Sequence, residues 1–265
     1  MCRVLFAVGD GERIRPLVRA LVGAAENDPY KEKRGKGRQH KDGWGYTLLS
    51  DGKLEHYRSS SPIFRDESGV KGLIEKLGGF SVLMAHARAA SQGGRDLLNT
   101  QPFSFSSRRG FSFWLYHNGD INKARLIELG EFDGDLAGVS DSYVLGAYLC
   151  RKLGGTAKEE LLRLYSPVMD ATNTSLNTGL LLLPPGGSAR AFLTAYSRPL
   201  YIMRPANWDY VRQIEVEDEN LFALASSTLE LYHKGPWKPV QNGTAFYLSI
   251  DAEGESFNVE RLVMG

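Results

Sequence analysis

The chain has 265 residues, of which 42% are hydrophobic and 24% charged. This balance is that of an ordinary globular protein and excludes a fibrous or largely disordered one. Lysine and arginine number 32 against 31 acidic residues, so no excess charge indicates a nucleic acid or an anionic membrane as partner. We expect a small ligand that a local site recognises.

Cys2 and Cys150 are the only cysteines, too few for a disulfide framework and without the spacing of a zinc site. We therefore expect no metal and no cofactor. The apolar stretch at 4–8 is shorter than the core of a signal peptide, and no run approaches the roughly 20 apolar residues of a membrane span. These features predict a cytoplasmic protein and leave its oligomeric state open.

The first half of the chain predicts strands and helices around two loops. Residues 2–8 form an apolar run that ends at glycines, and apolar residues then recur at helical spacing over 13–26. Ser50-Asp51-Gly52 is typical of the turn of a β-hairpin. The other expected elements are a loop rich in Lys, Arg and Gly at 31–41, hairpin strands at 44–49 and 54–58, a helix at 70–77, strands at 80–87 and 111–116, and a loop at 91–100 with Gly93-Gly94 as its hinge.

The second half predicts two helices and then mainly strands. The helices are expected at 142–153 and 157–166, the second with the capping-box pattern Thr156-x-x-Glu159. No internal repeat or linker divides the chain, so we expect one α+β domain over residues 1–265, with more strands than helices. The strand candidates are 178–184, 190–196, 199–204, 221–226, 244–250 and 257–263.

Cys2 is the first candidate for chemistry. A small side chain at position 2 permits removal of the preceding methionine, which would leave the cysteine with a free α-amine. The unperturbed pKa of such an amine is about 7.7 to 8.0 and that of a thiol about 8.5, so one residue can supply both nucleophile and base. Because a cysteine at position 2 is often incidental, the other motifs must decide whether Cys2 is catalytic.

Four further motifs accompany Cys2. They are His40-Lys41-Asp42-Gly43-Trp44-Gly45, then Ala85-His86-Ala87-Arg88 after a strand, His117-Asn118-Gly119 after the next strand, and Ser140-Asp141-Ser142 at the start of a helix. This order resembles that of the class II glutamine amidotransferases, and the first motif is similar to the His-Arg-Asp-Gly-Trp-Gly type of the smaller stand-alone members. The resemblance implies a four-layer αββα sandwich of two antiparallel sheets, which is the N-terminal nucleophile hydrolase fold.

The resemblance also implies a role for each matching residue. Cys2 would attack the side-chain carbonyl of glutamine and form a γ-glutamyl thioester. The Asn118 side chain and the Gly119 backbone amide would form the oxyanion hole. Arg88 offers a planar fork for the substrate α-carboxylate, and Asp141 would pair with the α-ammonium group.

Three more positions are assigned to substrate binding on the same ground. Ser91 lies in the loop that would close over glutamine, and His40 and Trp44 would shape the wall of the site. We expect His86 and His117 to be strand-end residues satisfied by hydrogen bonds, because the terminal amine already serves as the base.

Each assigned residue also has a structural interpretation. Asn118-Gly119 is a common turn dipeptide, Asp141 is suited to cap its helix, and Arg88 resembles an ordinary salt-bridge arginine. The chain also departs from the family pattern, because Ala89 stands where many synthase-linked members have tryptophan.

Three functions remain open at this stage. In the first, the protein hydrolyses glutamine and a separate synthase subunit uses the ammonia, or it is a free-standing amidohydrolase of glutamine or a γ-glutamyl small molecule. Alternatively, it is a non-catalytic binding or regulatory subunit, or an N-terminal cysteine hydrolase of the bile acid or penicillin type. The His-Asn-Gly motif and Arg88 favour glutamine.

Overall fold

Two antiparallel sheets form the centre of the computed structural model, which describes residues 1–133, 136 and 138–265. The strands are β1 (Arg3–Asp10), β2 (Trp44–Ser50), β3 (Lys53–Ser59), β4 (Phe80–Ala87), β5 (Phe103–Ser106), β6 (Ser112–Ile121), β7 (Thr172–Leu183), β8 (Ala189–Ser197), β9 (Gln213–Asp218), β10 (Leu221–Ser226), β11 (Lys238–Pro239), β12 (Thr244–Asp251) and β13 (Ser256–Val263). The helices are α1 (Gly11–Glu26), α2 (Pro29–Glu32), α3 (Glu67–Lys76), α4 (Lys123–Gly130), α5 (Asp141–Lys152), α6 (Lys158–Asp170), α7 (Pro199–Ile202) and α8 (Pro205–Val211).

The strand order places β1 in the middle of its sheet. The seven-stranded sheet runs β11-β9-β10-β1-β4-β2-β3, and the six-stranded sheet runs β13-β12-β8-β7-β6-β5. Strand β1 pairs antiparallel with both β4 and β10. The residue just before β1 is therefore flanked by the ends of two other strands.

Alternate residues of β1 enter two different cores. Val4, Phe6 and Val8 pack between the two sheets, whereas Leu5 and Ala7 pack against the layer that contains α1. A strand that is buried on both faces has a continuous run of apolar residues, which explains the apolar run at the start of the chain. Helices α4, α5 and α6 cover the outer face of the other sheet. The expected four-layer αββα sandwich is confirmed. In the described part of the chain, no helix combines the length and apolar character needed to cross a bilayer.

One predicted strand and one predicted helix cap are wrong for local reasons. The segment predicted as a strand at 199–204 begins a short helix, α7, because Pro199 occupies the first helical turn, which its fixed φ favours. Helix α6 begins at Lys158 with Ala157 at its N-cap and no side-chain cap, so the Thr156-x-x-Glu159 pattern does not form a capping box.

Six elements were not predicted, namely α2, α4, α8, β5, β9 and β11. Strand β5 has only four residues, and β9 ends in exposed acidic residues, so neither gives a long apolar signal. Their pairing with β6 and β10 comes from tertiary contacts that local sequence does not encode.

A buried ionic cluster holds the start of β1 against the helix layer. Arg3, Asp28 and His40 are all fully buried. An Arg3 guanidinium nitrogen lies 2.5 Å from Asp28 Oδ2, and His40 Nε2 lies 2.7 Å from the same oxygen. Arg3 also donates to the carbonyl oxygens of Cys2 and Tyr210, both at 3.1 Å. The cluster therefore fixes the backbone immediately beside Cys2.

The charges in this cluster are set by burial and pairing. Burial acts to raise the pKa of Asp28, but the Arg3 charge and the His40 hydrogen bond outweigh it and lower the pKa to about 2. Burial lowers the pKa of His40 to about 3, against the opposing effect of Asp28. His40 is thus neutral, and its Nε2–H donates to the Asp28 carboxylate.

The neutral, buried state of His40 predicts a pH-dependent stability. Unfolded histidine binds a proton near pH 6.5 whereas His40 in the fold does not, so the folded state loses stability as pH falls below about 6.5. Between pH 7.5 and 5.0 this group should remove about 2 kcal/mol from the free energy of unfolding. His40→Gln keeps a donor for Asp28 but does not titrate, so its urea-unfolding free energy should fall less over this interval. His233→Gln, outside the cluster, is the control and should follow the native protein. Equal losses in all three proteins would contradict the assignment.

Candidate active site

Cys2 lies between the two sheets. It continues the alternation of Val4, Phe6 and Val8 and is 8% exposed. The Cys2 nitrogen donates to Asn118 Oδ1 on β6 of the opposite sheet, at 2.7 Å. The contact brings Cys2 and the His117-Asn118-Gly119 motif together across 116 residues of chain.

The Asn118 carboxamide is oriented by this contact. Because its oxygen accepts the Cys2 N–H, its NH₂ group is the part left to donate to a ligand. The Asn118 backbone carbonyl oxygen accepts from Ser175 Oγ at 2.9 Å, and this bond fixes the backbone of Asn118 to β7. An oriented donor beside a nucleophile is the arrangement needed to stabilise an oxyanion.

Gly119 is required by the close approach of two strands. A Cβ atom at this position would lie 1.7 Å from the Ser175 carbonyl oxygen of β7. Both Asn118 and Gly119 pair with β7, and the register shifts only after Gly119. The turn interpretation of this dipeptide is therefore wrong, and the motif lies inside β6 rather than after it.

The Cys2 sulfur is held by the chain just after β4. The Ala89 backbone N–H donates to Cys2 Sγ at 3.3 Å, and the Ala89 carbonyl oxygen lies 3.7 Å from the sulfur. Since Arg88 is the adjacent residue, these contacts place the thiol beside the Arg88 backbone. A small side chain at position 89 is compatible with this tight contact, because Ala89 is 8% exposed.

Arg88 is buried without a carboxylate partner. It is 2% exposed, and its Nη2 donates to the Gln92 carbonyl oxygen at 3.1 Å. Its Nη1 has no hydrogen-bond partner among the described residues. A buried charge is costly unless it is paired. The burial of Arg88 and the lack of an ion pair among the described residues disfavour its interpretation as a surface salt-bridge arginine.

Asp141 is the first residue of α5 and is 3% exposed. Its Oδ2 accepts the Ile121 backbone N–H at 2.9 Å. The N-cap is Ser140, whose Oγ accepts from the Tyr143 N–H at 3.3 Å. The interpretation of Asp141 as the helix cap is therefore wrong, and its carboxylate instead ties α5 to the end of β6.

Gln92 links the two halves of the site and was not predicted from the sequence. Its carbonyl oxygen accepts from Arg88, and its Nε2 donates to Asp120 Oδ2 at 3.0 Å and to the Ile121 carbonyl oxygen at 3.4 Å. Because Ile121 also binds Asp141, a chain of contacts runs from Arg88 to Asp141. The position of Gln92 in the long loop after β4 is the only sequence signal for this role.

The two histidines of the motifs differ. His117 is satisfied as expected, with Nδ1 2.9 Å from Ser142 Oγ and Nε2 3.1 Å from the Ser175 carbonyl oxygen. For His86 the expectation of satisfying hydrogen bonds is wrong, because neither ring nitrogen has a partner in the described structure. Burial, and then the nearby Arg88 charge, lower the pKa of His86 well below its usual value, so the ring is neutral.

Three residues assigned to substrate binding lie apart from this group. Ser91 is exposed on the loop after β4. His40 belongs to the buried cluster with Asp28. Trp44 is fully buried in the core on the helix side of its sheet, where its indole N–H donates to Asp66 Oδ2 at 2.8 Å. Contact of these three residues with a substrate stays a prediction.

Residues from the second half of the chain enclose the N-terminus, and none of them carries a motif. The Tyr210 hydroxyl donates to the Met1 carbonyl oxygen at 2.8 Å. Thr174 Oγ1 and Ser175 Oγ lie 3.6 and 3.5 Å from Met1 Sδ. Ser226 Oγ accepts the Val4 N–H at 3.0 Å. Only the fold reveals these contacts, since each joins residues more than 170 positions apart.

Comparisons with known proteins agree with the geometry. The family model described as class-II glutamine amidotransferases matches residues 26–249, a match that begins after Cys2. YafJ of Escherichia coli (strain K12), itself assigned only provisionally as a glutamine amidotransferase, is 31% identical over 115 residues, which are 43% of each chain. The aligned part thus spans less than half of this relative.

Solved structures share the fold. A glutamine phosphoribosylpyrophosphate amidotransferase from B. subtilis matches 100% of this chain and 50% of its own, with a TM-score of 0.64 and 18% identity. This chain therefore spans half the length of that enzyme. A class-II domain protein from Silicibacter pomeroyi matches 99% of both chains, with a TM-score of 0.52 and 14% identity. Because the family match covers well over half of the sequence and the fold accords with it, the chain belongs to the class II glutamine amidotransferases.

Proposed function

We propose that this protein hydrolyses the side-chain amide of glutamine, or of a γ-glutamyl amide, through a thioester on Cys2. The products are glutamate and ammonia or an amine. The observation that carries this proposal is the 2.7 Å contact between the Cys2 nitrogen and Asn118 Oδ1. This contact supports the assignment of Cys2 as nucleophile and base beside an oriented amide donor.

The reaction follows from this arrangement. The Cys2 sulfur bonds to the amide carbon, and the thiol proton passes to the Cys2 α-amine. The Asn118 NH₂ group and the Gly119 N–H stabilise the negative oxygen. The α-ammonium then protonates the leaving nitrogen, the C–N bond breaks, and water hydrolyses the thioester to release glutamate and restore the thiol.

Recognition of the amino-acid head group rests on two opposite charges. The Arg88 guanidinium, with an unpartnered Nη1, suits the α-carboxylate. The Asp141 carboxylate suits the α-ammonium, and the Gln92 bridge keeps both at the same end of the sandwich. This pair of charges favours a zwitterionic substrate over the acyl conjugates that bile acid or penicillin hydrolases cleave.

The first prediction concerns the nucleophile. Cys2→Ala should abolish glutamine hydrolysis and leave the fold and ligand binding largely intact, because the lost sulfur is the covalent catalyst but is small in packing terms. Cys150→Ala is the matched control and should hydrolyse glutamine at the native rate. Ammonia release and the thermal unfolding midpoint of both variants are the measurements. Native turnover in Cys2→Ala would exclude the thioester mechanism.

The second prediction concerns the bond between Met1 and Cys2. An acylated nitrogen cannot accept the thiol proton, so only protein that begins at Cys2 should be active. Intact-mass analysis of active and inactive fractions measures this directly. Full activity in material that retains Met1 throughout would refute the terminal-amine mechanism.

The third prediction concerns Arg88 and Asp141. Arg88→Lys keeps the charge but loses the planar fork, so kcat/KM for glutamine should fall by a factor on the order of ten or more. Asp141→Asn should penalise glutamine more than an analogue without the α-amino group, because the analogue already lacks the partner. The measurement is a double cycle of kcat/KM over two proteins and two substrates. Equal penalties for both substrates would show that Asp141 serves only to hold α5 to β6.

A further inference from the structure

The surroundings of Met1 beside the Cys2 nitrogen, here called the Met1 pocket, include the hydroxyl groups of Tyr210, Thr174 and Ser175. The Met1 carbonyl oxygen accepts from the Tyr210 hydroxyl at 2.8 Å, and the Met1 sulfur lies against the hydroxyls of Thr174 and Ser175. Tyr210 is 1% exposed. When the Met1–Cys2 bond is cut, this buried phenol loses its acceptor, and three hydroxyl groups then face the space that Met1 leaves.

The chemistry of the amide places the leaving group in that space. The Cys2 α-amine must deliver a proton to the leaving nitrogen, so the two nitrogens must come within hydrogen-bond distance. Asn118 Oδ1 occupies one side of the Cys2 nitrogen at 2.7 Å. Met1 is bonded to the same nitrogen and therefore shows a second direction from which a group can reach it. A substituent on the leaving nitrogen would therefore enter the volume that the Met1 side chain and carbonyl now occupy.

The mouth of this pocket is positively charged. The Arg34 guanidinium lies 4.9 Å from the ring centre of Tyr210 and 5.4 Å from that of Tyr201. Among the described residues, no carboxylate forms an ion pair with Arg34. The nearby Asp120 is instead bonded by Gln92 and Asn173.

A cavity of about 360 Å³ on the same loop adds to this charge. Its lining includes Lys31, Lys36, Arg38 and Lys41, with Glu26 as its one acidic residue. Burial lowers the pKa of the Met1 amine; Cys2 opposes this change, whereas the positive charges of Arg3, Lys36 and Lys31 act in the same direction as burial. The potential around the Met1 position therefore favours an anion.

We propose that the Met1 pocket is the subsite for the amine half of a γ-glutamyl amide, and that it selects an amine bearing a carboxylate, as in a γ-glutamyl amino acid. The proposal rests on the function proposed above and specifies its substrate class. The Tyr210 hydroxyl would donate to the carboxylate in place of the Met1 carbonyl, and Arg34 would pair with its charge. The Cα-substituted amine would leave with the proton from the Cys2 thiol, and water would release glutamate.

A structural alternative makes a different prediction. If Tyr210 only orients the Cys2 amine and Arg34 only packs on tyrosine rings, their replacement would affect every substrate equally. A subsite for a carboxylate instead predicts losses that depend on the leaving group. The comparison of substrates therefore separates the two roles.

The experiment uses protein that begins at Cys2 and three substrates, namely glutamine, the neutral γ-glutamylethylamide and the charged γ-glutamylglycine. For the native protein, kcat/KM should be about tenfold or more higher for γ-glutamylglycine than for the ethylamide. Arg34→Gln and Tyr210→Phe should each reduce this ratio. Lys33→Gln removes an exposed charge from the same loop and should leave the ratio unchanged.

A binding readout covers the case in which a variant folds poorly or turns over slowly. In the Cys2→Ala background, calorimetry should show tighter binding of γ-glutamylglycine than of the ethylamide, and Arg34→Gln should remove the difference. The inference is overturned if the native protein hydrolyses glutamine without preferring γ-glutamylglycine, or if Arg34→Gln lowers kcat/KM for all three substrates by one factor. Failure to hydrolyse any of the three, glutamine included, would instead overturn the proposed function together with this inference.

Discussion

The site depends on holding a chain terminus rigid. Terminal residues ordinarily fray, yet a nucleophile must keep its position to within a fraction of an ångström. Three contacts from different parts of the fold act on the first residues of β1. The Cys2 nitrogen bonds to Asn118 of the opposite sheet, Arg3 is held by Asp28, and the Val4 N–H bonds to Ser226. The two sheets and the helix layer therefore position the thiol together.

Two buried arginines near Cys2 show how structural and ligand-binding charges differ. Arg3, on the helix side of the sheet, is fully buried, pairs with Asp28 and donates to two carbonyl oxygens. Arg88, on the other side, is 2% exposed. Among the described residues, its guanidinium donates only to the backbone carbonyl oxygen of Gln92. Since an unpaired buried charge costs free energy, a fold that keeps one is destabilised unless a ligand pairs with it. The contrast supports the proposal that Arg88 binds the carboxylate of a substrate.

The sequence predicted those parts of the fold and site that depend on local pattern. Periodicity was sufficient for β1, α1 and the hairpin of β2 and β3. It was insufficient for Asn118-Gly119, where pairing with β7 overrides the turn tendency of the dipeptide. Gln92 and Tyr210 belong to none of the motifs, because each acts through partners that only the tertiary fold supplies. Motif resemblance found the residues that are proposed to perform chemistry, but not those that position them.

The basic loop at 31–41 connects nucleophile positioning with the charge at the mouth of the site. Its composition predicted a loop, but backbone hydrogen bonds fix both of its ends. The Asp28 N–H donates to the Arg38 carbonyl oxygen at 2.9 Å, and the His40 N–H donates to the Ala25 carbonyl oxygen at 2.8 Å. The same segment carries His40, which supports the Asp28 partner of Arg3, and Arg34, which stacks on Tyr210. The Arg3 guanidinium also packs on Tyr210, at 4.3 Å from the ring centre. The same aromatic ring therefore contacts both Arg3, next to Cys2, and Arg34, at the mouth of the site. The proposed substrate selection at the mouth would thus be coupled to the position of Cys2, since a displacement of Tyr210 would alter both.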